Sequence, residues 1–280
     1  MLKGFVVGTS RSGTTLLINL LGSHSRISPL FELEFLLDII DAYKNKGKIE
    51  PREFLGLLYQ WGSQKGGLPY DDVWDKSYDR IKPRFGSKYA LFTKEALIRA
   101  GTDFLDDVQR LPAEEALYRF MDTLSEQHCR CDGKPFTLIK VPSLLRAPDV
   151  ILAAFPDAKF IHIFRDGRDV WCSAKRFSWG PRSVEMCAHW WTDSMRISDL
   201  LKATYPENFV EIKYEDLMEA PQAHLDELFH FLGVPPEPIN YEFDRSSINR
   251  YKQEMSPEEI DRFNKIAGNY LEKKTYTCLL

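Results

Sequence analysis

Short apolar runs alternate with longer amphipathic stretches along this chain. The apolar runs predict strands at residues 5–7, 136–141, 159–164 and 209–213. Helical periodicity follows each of them, and Ser256-Pro257-Glu258-Glu259 has the serine, proline and glutamate of a capping box. This alternation predicts an α/β fold, with a parallel central sheet and helices on both faces.

Two stretches interrupt the alternation. Ser28-Pro29 predicts the start of a helix, because proline is preset for a first helical turn. Residues 44–130 combine glycine breaks and frequent aromatic residues with one helical stretch near their end. We expect them to form a helical and loop insertion, since long loops in compact domains often carry function.

The loop Gly8-Thr9-Ser10-Arg11-Ser12-Gly13-Thr14-Thr15 follows the first strand and precedes an apolar helix. Such a turn directs backbone amides and a helix N-terminus at one place, which is an anion-binding arrangement. Its spacing is close to that of a nucleotide-binding P-loop, but Thr14 stands where the lysine belongs. Arg11 offers a forked cation instead. The loop therefore predicts a phosphate-type ligand.

Further polar residues stand at the carboxyl ends of the other predicted strands. Lys140 is near the end of the second, Arg165 follows the third, and Tyr214 follows the fourth. In parallel α/β sheets ligands bind outside these ends. We therefore expect the loop and these side chains to converge on one edge.

Composition narrows the possible functions. The chain has 280 residues, 44% of them hydrophobic, and we expect one domain over 1–280. A net charge of −4 gives no electrostatic footprint for nucleic acid. With no leader and no membrane-spanning run, we expect a cytoplasmic protein. Cys129-Arg130-Cys131 beside His128 lacks a second ligand pair, so we expect no metal site.

Taken in order, four motifs resemble the sulfotransferases that use 3′-phosphoadenosine 5′-phosphosulfate (PAPS). Residues 11–17 are similar to the 5′-phosphosulfate loop of that family, and residues 164–173 to its 3′-phosphate motif. Residues 155–161 and 214–217 match as well. The pattern is most similar to the branch that contains bacterial and tyrosylprotein sulfotransferases. The resemblance implies a P-loop-like three-layer fold.

The resemblance also implies which residues hold PAPS and its product, 3′-phosphoadenosine 5′-phosphate (PAP). Backbone amides of residues 11–15, with the Thr14 and Thr15 hydroxyls, would bind the 5′-phosphosulfate. Arg165 and Ser173 would bind the 3′-phosphate, and Tyr214 and Ser247 would lie near the cofactor. Named singly, the loop positions are Arg11, Ser12, Gly13, Thr14 and Thr15. A further arginine of the family corresponds to Arg176, with the spacing shifted by one residue.

For catalysis the resemblance implies a carboxylate base, and Glu32 stands 21 positions after Arg11, in the family frame. Glu34 and His24 are the alternatives, and a glutamate near a helix N-terminus also has a purely electrostatic explanation. Lys140 and Arg11 would stabilise charge on the bridging oxygen of the leaving PAP.

Other motif residues have structural explanations. We expect Asp166 to cap the following helix and Asp169 to form a surface salt bridge with Arg168. For Trp190 and Trp191 the core is favoured, with stacking on adenine as the alternative.

The sequence therefore predicts a sulfotransferase that moves the sulfuryl group of PAPS to a hydroxyl, without metal. The acceptor is expected to be a small molecule, lipid or carbohydrate, bound by the insertion. The sequence is also compatible with a homodimer. The alternatives are a P-loop kinase or nucleotide hydrolase, and a PAP-binding protein without catalysis.

Overall fold

Five strands form the central sheet of the computed structural model, which describes residues 1–31, 33, 35–46, 54 and 94–276. They are β1 (Leu2–Val7), β2 (Ile27–Phe31), β3 (Phe136–Lys140), β4 (Lys159–Phe164) and β5 (Phe209–Lys213). Their order across the sheet is β2-β3-β1-β4-β5. The pairs β1–β3, β2–β3 and β4–β5 are parallel. The predicted parallel sheet is confirmed.

Helices connect these strands. In chain order the described α-helices are α1 (Thr14–Gly22), α2 (Phe35–Lys46), α3 (Lys94–Asp107), α4 (Ala113–Asp132), α5 (Pro148–Ala154), α6 (Gly167–Ala174), α7 (Val184–Thr204), α8 (Tyr214–Glu219), α9 (Pro221–Phe231), α10 (Tyr251–Glu254) and α11 (Pro257–Lys273). A 3₁₀ helix covers Pro142–Arg146. The predicted capping box is confirmed at α11, where Ser256 and Glu259 cap each other's backbone amides.

Strand β2 replaces the predicted helix start at Ser28-Pro29, so that prediction was wrong. All five residues of β2 are buried, and Phe31 stands opposite Lys140 of β3. In the sheet order β2 is an edge strand, so one of its sides has no neighbouring strand. Proline lacks an amide proton and is tolerated there, because no hydrogen bond to a neighbour is lost on that side.

The chain divides into two compact units, the first formed by residues 1–6 and 18–159. Its buried side chains include Phe54, Phe104 and Phe120, whose ring centroids lie 4.9–5.7 Å apart. His128 of α4 is also buried and donates from Nε2 to the carbonyl of Pro29 at 3.1 Å. Donation from this nitrogen fits a neutral ring. Burial lowers the pKa of His128 from 6.5 to about 4.

The first unit should therefore lose stability in acid. The unfolded chain protonates His128 near pH 6.5 and the folded chain only near 4, so the contribution is complete above pH 6.5 and is lost as the pH falls toward 4. At 1.36 kcal/mol per pKa unit, the loss is about 3 kcal/mol. The variant His128→Gln keeps an N–H donor but has no ring to protonate. Urea unfolding at several pH values should show that its free energy of unfolding falls in acid by about 3 kcal/mol less than that of the native chain. Parallel curves for the two proteins would contradict this account.

Residues 7–17 and 160–280 form the second unit. Helices α6, α7 and α11 pack there around the buried Trp191 and Phe263, whose ring centroids are 6.3 Å apart. The core position predicted for Trp191 is confirmed, and Trp190 packs against the same cluster with part of its surface exposed.

A buried polar network lies within the second unit. His162 of β4 contacts Ser198 at 2.6 Å, and the Ser198 hydroxyl donates to Glu211 of β5 at 2.7 Å. Lys274 donates to Glu211 at 2.6 Å. Burial lowers the pKa of His162. Burial alone would raise the pKa of Glu211, but hydrogen bonds from His162, Lys274 and Ser198 bring it well below its usual range.

Candidate functional site

The loop between β1 and α1 has the curled backbone that an anion site requires. Gly8, Arg11 and Gly13 have positive φ angles of 151°, 74° and 101°. This conformation is unusual for arginine and is held by its surroundings. The loop opens into α1 at Thr14, so the helix N-terminus, which favours anions, lies at the end of this turn.

Ser12 anchors this loop to β4. Its buried hydroxyl donates to the carbonyls of Thr9 at 2.6 Å and of Ile163 at 2.8 Å. Its amide also donates to Thr9, at 3.2 Å. Both donors of Ser12 are thus engaged within the protein. We infer that Ser12 serves an anion site by holding the loop in shape.

Tyr214 lies at the centre of the site. A Cβ on Gly13 would stand 2.5 Å from the Tyr214 ring, so only glycine lets the loop approach so closely. The Arg165 guanidinium carbon is 5.0 Å from the centroid of the same ring, and the Tyr214 hydroxyl is 2.8 Å from the Ser247 hydroxyl. The structure therefore brings the loop, Arg165, Tyr214 and Ser247 together.

Arg165 is a buried cation, and its Nε has no hydrogen-bond acceptor among the described residues. Its side chain is 6% exposed. Nη2 donates to the carbonyl of Ser247 and lies 3.3 Å from Oδ2 of Asp169. Its Nε and the Oγ1 of Thr9 are buried polar atoms without a hydrogen-bond partner among the described residues. A buried donor without a partner costs about 1–3 kcal/mol, so both atoms fit a site completed by a polar ligand.

Asp169 is part of this site, and its prediction as a surface salt bridge was wrong. Its side chain is 1% exposed. It accepts from the amides of Asn249 and Tyr251, each at 2.9 Å, and pairs with Arg165. Burial raises the pKa of Asp169, although Arg165 and both amides act in the opposite direction. The four-residue spacing between Arg165, which precedes α6, and Asp169, which lies in its first turn, was the available sequence signal.

The remaining motif residues support this arrangement. Asp166 accepts from the amide of Arg168 at 2.9 Å, so its predicted role as a helix cap is confirmed. The Arg168 guanidinium is buried, pairs with Asp166 at 2.7 Å and lies 4.0 Å from the centroid of the Tyr251 ring. Glu215 accepts from the Asp166 amide at 3.1 Å and from the Tyr276 hydroxyl at 2.8 Å. These contacts fix the backbone from which Arg165 projects.

Ser173 and Arg11 contact each other directly, which the sequence did not predict. Nε of Arg11 donates to the Ser173 hydroxyl at 2.9 Å. The same guanidinium lies 4.8 Å from the centroid of the Phe177 ring. The first residue of the loop motif and the last residue of the 3′-phosphate motif are thereby joined. Arg176 is exposed and pairs with Glu254 at 2.9 Å.

Lys140 belongs to the first unit, at the carboxyl end of β3. It is 2% exposed, and its Nζ lies 5.9 Å from the centroid of the Phe31 ring. His24 of the same unit is buried and accepts from the amide of Arg26 at 3.0 Å. Glu32 and Glu34 lie outside the described residues, and most of the predicted insertion at 44–130 does too.

The cysteine thiols at positions 129 and 172 do not suggest a nucleophile or a metal ligand. Burial raises the pKa of the Cys172 thiol to about 11, so it stays protonated near neutrality. Sγ of Cys129 lies 2.9 Å from the Thr137 hydroxyl. Over the described ranges, no three histidine, cysteine, aspartate or glutamate residues cluster as metal ligands would.

In the part of the chain that the structure describes, no helix has the length and apolar character needed to cross a membrane.

Comparisons with known proteins show what this chain is similar to. An uncharacterised protein of Aquifex aeolicus (strain VF5) is 26% identical over 245 residues, which are 83% of this chain and 26% of that protein. The chain thus spans about a quarter of the length of this curated relative. The sulfotransferase domain of the Synechococcus PCC 7002 olefin synthase is 20% identical, with a TM-score of 0.56 and coverage of 98% of this chain and 94% of that one.

A second solved structure has the same fold. The sulfotransferase domain from the curacin biosynthetic pathway is 19% identical, with a TM-score of 0.51 and coverage of 98% of both chains. At such identities the likeness shows the fold, and it confirms the predicted P-loop-like α/β architecture. A model of the sulfotransferase family matches residues 5–238, which include the loop, the Arg165 motif and Tyr214. The chain belongs to the sulfotransferase family.

Proposed function

We propose that the protein transfers the sulfuryl group of PAPS to an acceptor hydroxyl and releases PAP. The observation that carries this proposal is the buried Arg165. Its Nε has no hydrogen-bond partner among the described residues. Its guanidinium lies over the ring of Tyr214, which in turn lies against Gly13 of the loop. A nucleotide hydrolase needs a lysine in the loop and has no use for a second cation site. Here the loop has Thr14 at that position.

The two ends of the donor have separate sites in this proposal. Backbone amides of residues 11 and 13–15, with the hydroxyls of Thr14 and Thr15, bind the 5′-phosphosulfate, and Ser12 holds the loop in shape for it. Thr14 is buried and Thr15 exposed. The 3′-phosphate is bound by Arg165 and Ser173, since a forked guanidinium matches phosphate oxygens and a hydroxyl donates to them.

Tyr214 and Ser247 complete the site for PAPS, and their contribution is to hold Arg165. The ring of Tyr214 lies 5.0 Å from its guanidinium, and Ser247 accepts from it. A cation fixed in this way loses little rotamer freedom when phosphate binds. The site therefore favours a nucleotide that carries a 3′-phosphate.

The transfer is an in-line displacement at sulfur. The acceptor oxygen forms a bond to sulfur while the bond from sulfur to the bridging oxygen breaks. The hydroxyl proton passes to the carboxylate of Glu32, for which Glu34 and His24 are the alternatives. The electron pair of the broken bond remains on the bridging oxygen, where Lys140 and Arg11 stabilise its charge. No step requires a metal ion.

The acceptor is proposed to be a small molecule, lipid or carbohydrate hydroxyl, with residues 44–130 contributing to its pocket. A single catalytic domain over 1–280 is part of the same proposal, and a homodimer is allowed. No nucleic acid partner is proposed, because a net charge of −4 gives no electrostatic footprint for one.

Nucleotide binding and turnover test this function together. By calorimetry PAP should bind at least about 100-fold more tightly than ATP with Mg²⁺, because two charge-assisted hydrogen bonds are worth at least about 3 kcal/mol. With PAPS and a panel of 2-naphthol, 1-dodecanol and methyl β-glucoside, the native protein should release PAP. Glu32→Gln and Lys140→Met should still bind PAP and should lower kcat by about 100-fold.

Three other outcomes would contradict parts of this proposal. Tighter binding of ATP with Mg²⁺ would indicate a kinase or hydrolase. Binding of PAP without any turnover of PAPS would indicate a PAP-binding protein. Full activity of Glu32→Gln and Lys140→Met would overturn their catalytic roles and leave the donor site intact.

A further inference from the structure

Two aromatic rings stand exposed beside the loop, on the segment that follows α6. Phe177 is 38% exposed and Trp179 is 58% exposed. Their ring centroids are 5.0 Å apart with an interplanar angle of 24°, so the two rings stack. We call this pair the aromatic platform. Leaving so much apolar surface in water costs about 25 cal/mol per Å², and adjacent exposed rings often mark a binding surface.

The backbone holds the aromatic platform in a fixed turn. The amide of Phe177 donates to Ala174 and that of Gly180 donates to Phe177, each at 3.0 Å. A Cβ on Gly180 would lie 2.2 Å from the carbonyl oxygen of Ala174, so the close return of the chain requires glycine. Lys175 also donates to the carbonyl of Glu254 at 3.2 Å. The exposed rings are thus preorganised and would lose little entropy when a ligand covers them.

The aromatic platform is continuous with the residue proposed to act at the reacting end of PAPS. The Arg11 guanidinium lies 4.8 Å from the centroid of the Phe177 ring. Its Nε is bound to Ser173, which fixes the guanidinium against that ring. An acceptor whose body covers the platform would therefore lie beside Arg11.

The surroundings of the aromatic platform distinguish between classes of acceptor. Residues 174–183 contain three cations and no acid: Lys175, Arg176 and Arg182. A sugar needs hydrogen-bond acceptors as well as donors for its several hydroxyls, and the side chains of this segment supply chiefly donors. Two stacked aromatic rings instead offer chiefly apolar area to a flat or extended hydrocarbon.

On this basis, and resting on the proposed sulfuryl transfer, we infer that the acceptor is an apolar alcohol or phenol whose hydrocarbon body lies on Phe177 and Trp179. Trp179 is the residue that tests this inference. It contacts Phe177 and belongs to no part of the proposed donor site. Its replacement therefore changes the platform without removing a PAPS contact.

The test compares Trp179→Ala with the native protein, using 2-naphthol and 1-dodecanol as apolar probes and methyl β-glucoside as the polar one. The native protein should bind the apolar probes in the presence of PAP, and Trp179→Ala should weaken that binding and raise the acceptor KM about tenfold. The KM for PAPS should be unchanged. Trp179→Phe should restore most of the affinity, because a ring returns. Leu200→Ala, at another exposed apolar position (64% exposed), should change neither KM.

Several results would overturn the inference, and they differ from failure of the proposed function. Methyl β-glucoside as the best substrate, no binding of either apolar probe to the PAP-loaded protein, or an unchanged acceptor KM in Trp179→Ala would each refute the acceptor class while PAP binding persists. Loss of a dimer in Trp179→Ala by light scattering, with unchanged acceptor KM, would show that a second copy covers the platform. Failure to bind PAP or to release it from PAPS would refute the proposed function itself.

Discussion

Replacement of Arg165 by alanine is expected to lower kcat/KM for PAPS by about 100-fold and to leave the reaction with adenosine 5′-phosphosulfate nearly unchanged. The second donor has the same reacting end and lacks the 3′-phosphate. If Arg165 binds only that phosphate, the two donors should respond differently. A pair of hydrogen bonds from a buried guanidinium to phosphate is worth at least about 3 kcal/mol, which is about 100-fold.

Burial is the reason for the size of this effect. The Arg165 side chain is 6% exposed, so solvent cannot replace its contact with the ligand. Arg165→Lys should keep the charge and lose the fork, and its kcat/KM for PAPS should fall between those of the native protein and Arg165→Ala. The measurement is steady-state kinetics with both donors, at a temperature where thermal unfolding shows each variant to be folded.

Arg176→Ala is the matched control for this prediction. Arg176 corresponds to a further arginine of the family motif with the spacing shifted by one residue, but it is exposed and pairs with Glu254 at the surface. Its replacement should change kcat/KM for PAPS by less than about twofold, as expected for a surface ion pair. Equal losses in Arg165→Ala and Arg176→Ala, or equal losses with both donors, would show that Arg165 is not the 3′-phosphate ligand.

Sequence patterns located the site because its parts follow apolar runs. Residues 159–164 are buried almost throughout, and such a run predicts a strand whatever its neighbours are. Arg165 and Tyr214 come directly after two such strands, so the topological rule placed both at one edge. Their contact in the structure, with a guanidinium 5.0 Å from a ring, follows from that placement.

The sequence predictions for Ser28-Pro29 and for Asp169 were wrong because the surroundings of these residues come from distant parts of the chain. The short run at residues 27–31 contains a proline, which is compatible with a helix start and with an edge strand. Only pairing with β3, more than a hundred residues later, decides between them. Asp169 likewise has charged neighbours in sequence, while the amides that bury it belong to Asn249 and Tyr251.

Asp169→Asn is expected to destabilise the protein by about 3 kcal/mol, and PAP should recover a large part of that loss. Asp169 is the carboxylate paired with the buried Arg165, and it also anchors the turn that contains Asn249, whose φ is 60°. Asparagine has nearly the same shape, keeps one oxygen for the amides and has no charge. Breaking a buried ion pair in this way typically costs 3–5 kcal/mol, because the other charge remains buried and unpaired.

The 3′-phosphate of PAP should supply the missing negative charge beside Arg165. Urea unfolding of Asp169→Asn should therefore show a larger stabilisation by saturating PAP than the native protein shows. AMP, which lacks the 3′-phosphate, should stabilise both proteins equally. Asp193→Asn removes an exposed aspartate paired with Arg196 at 3.5 Å and should change the free energy of unfolding by less than about 0.5 kcal/mol.

The response to the two nucleotides separates a general packing defect from the role proposed for Arg165. A packing defect would lower stability by the same amount whether or not PAP is bound, and PAP and AMP would then stabilise Asp169→Asn as they stabilise the native protein. That result would mean that Asp169 only fixes the turn at 247–251. Ligand binding changes stability only through its preference for the folded state. If PAP stabilises Asp169→Asn more than the native protein and AMP does not, the 3′-phosphate and the Asp169 carboxylate must act on the same cation.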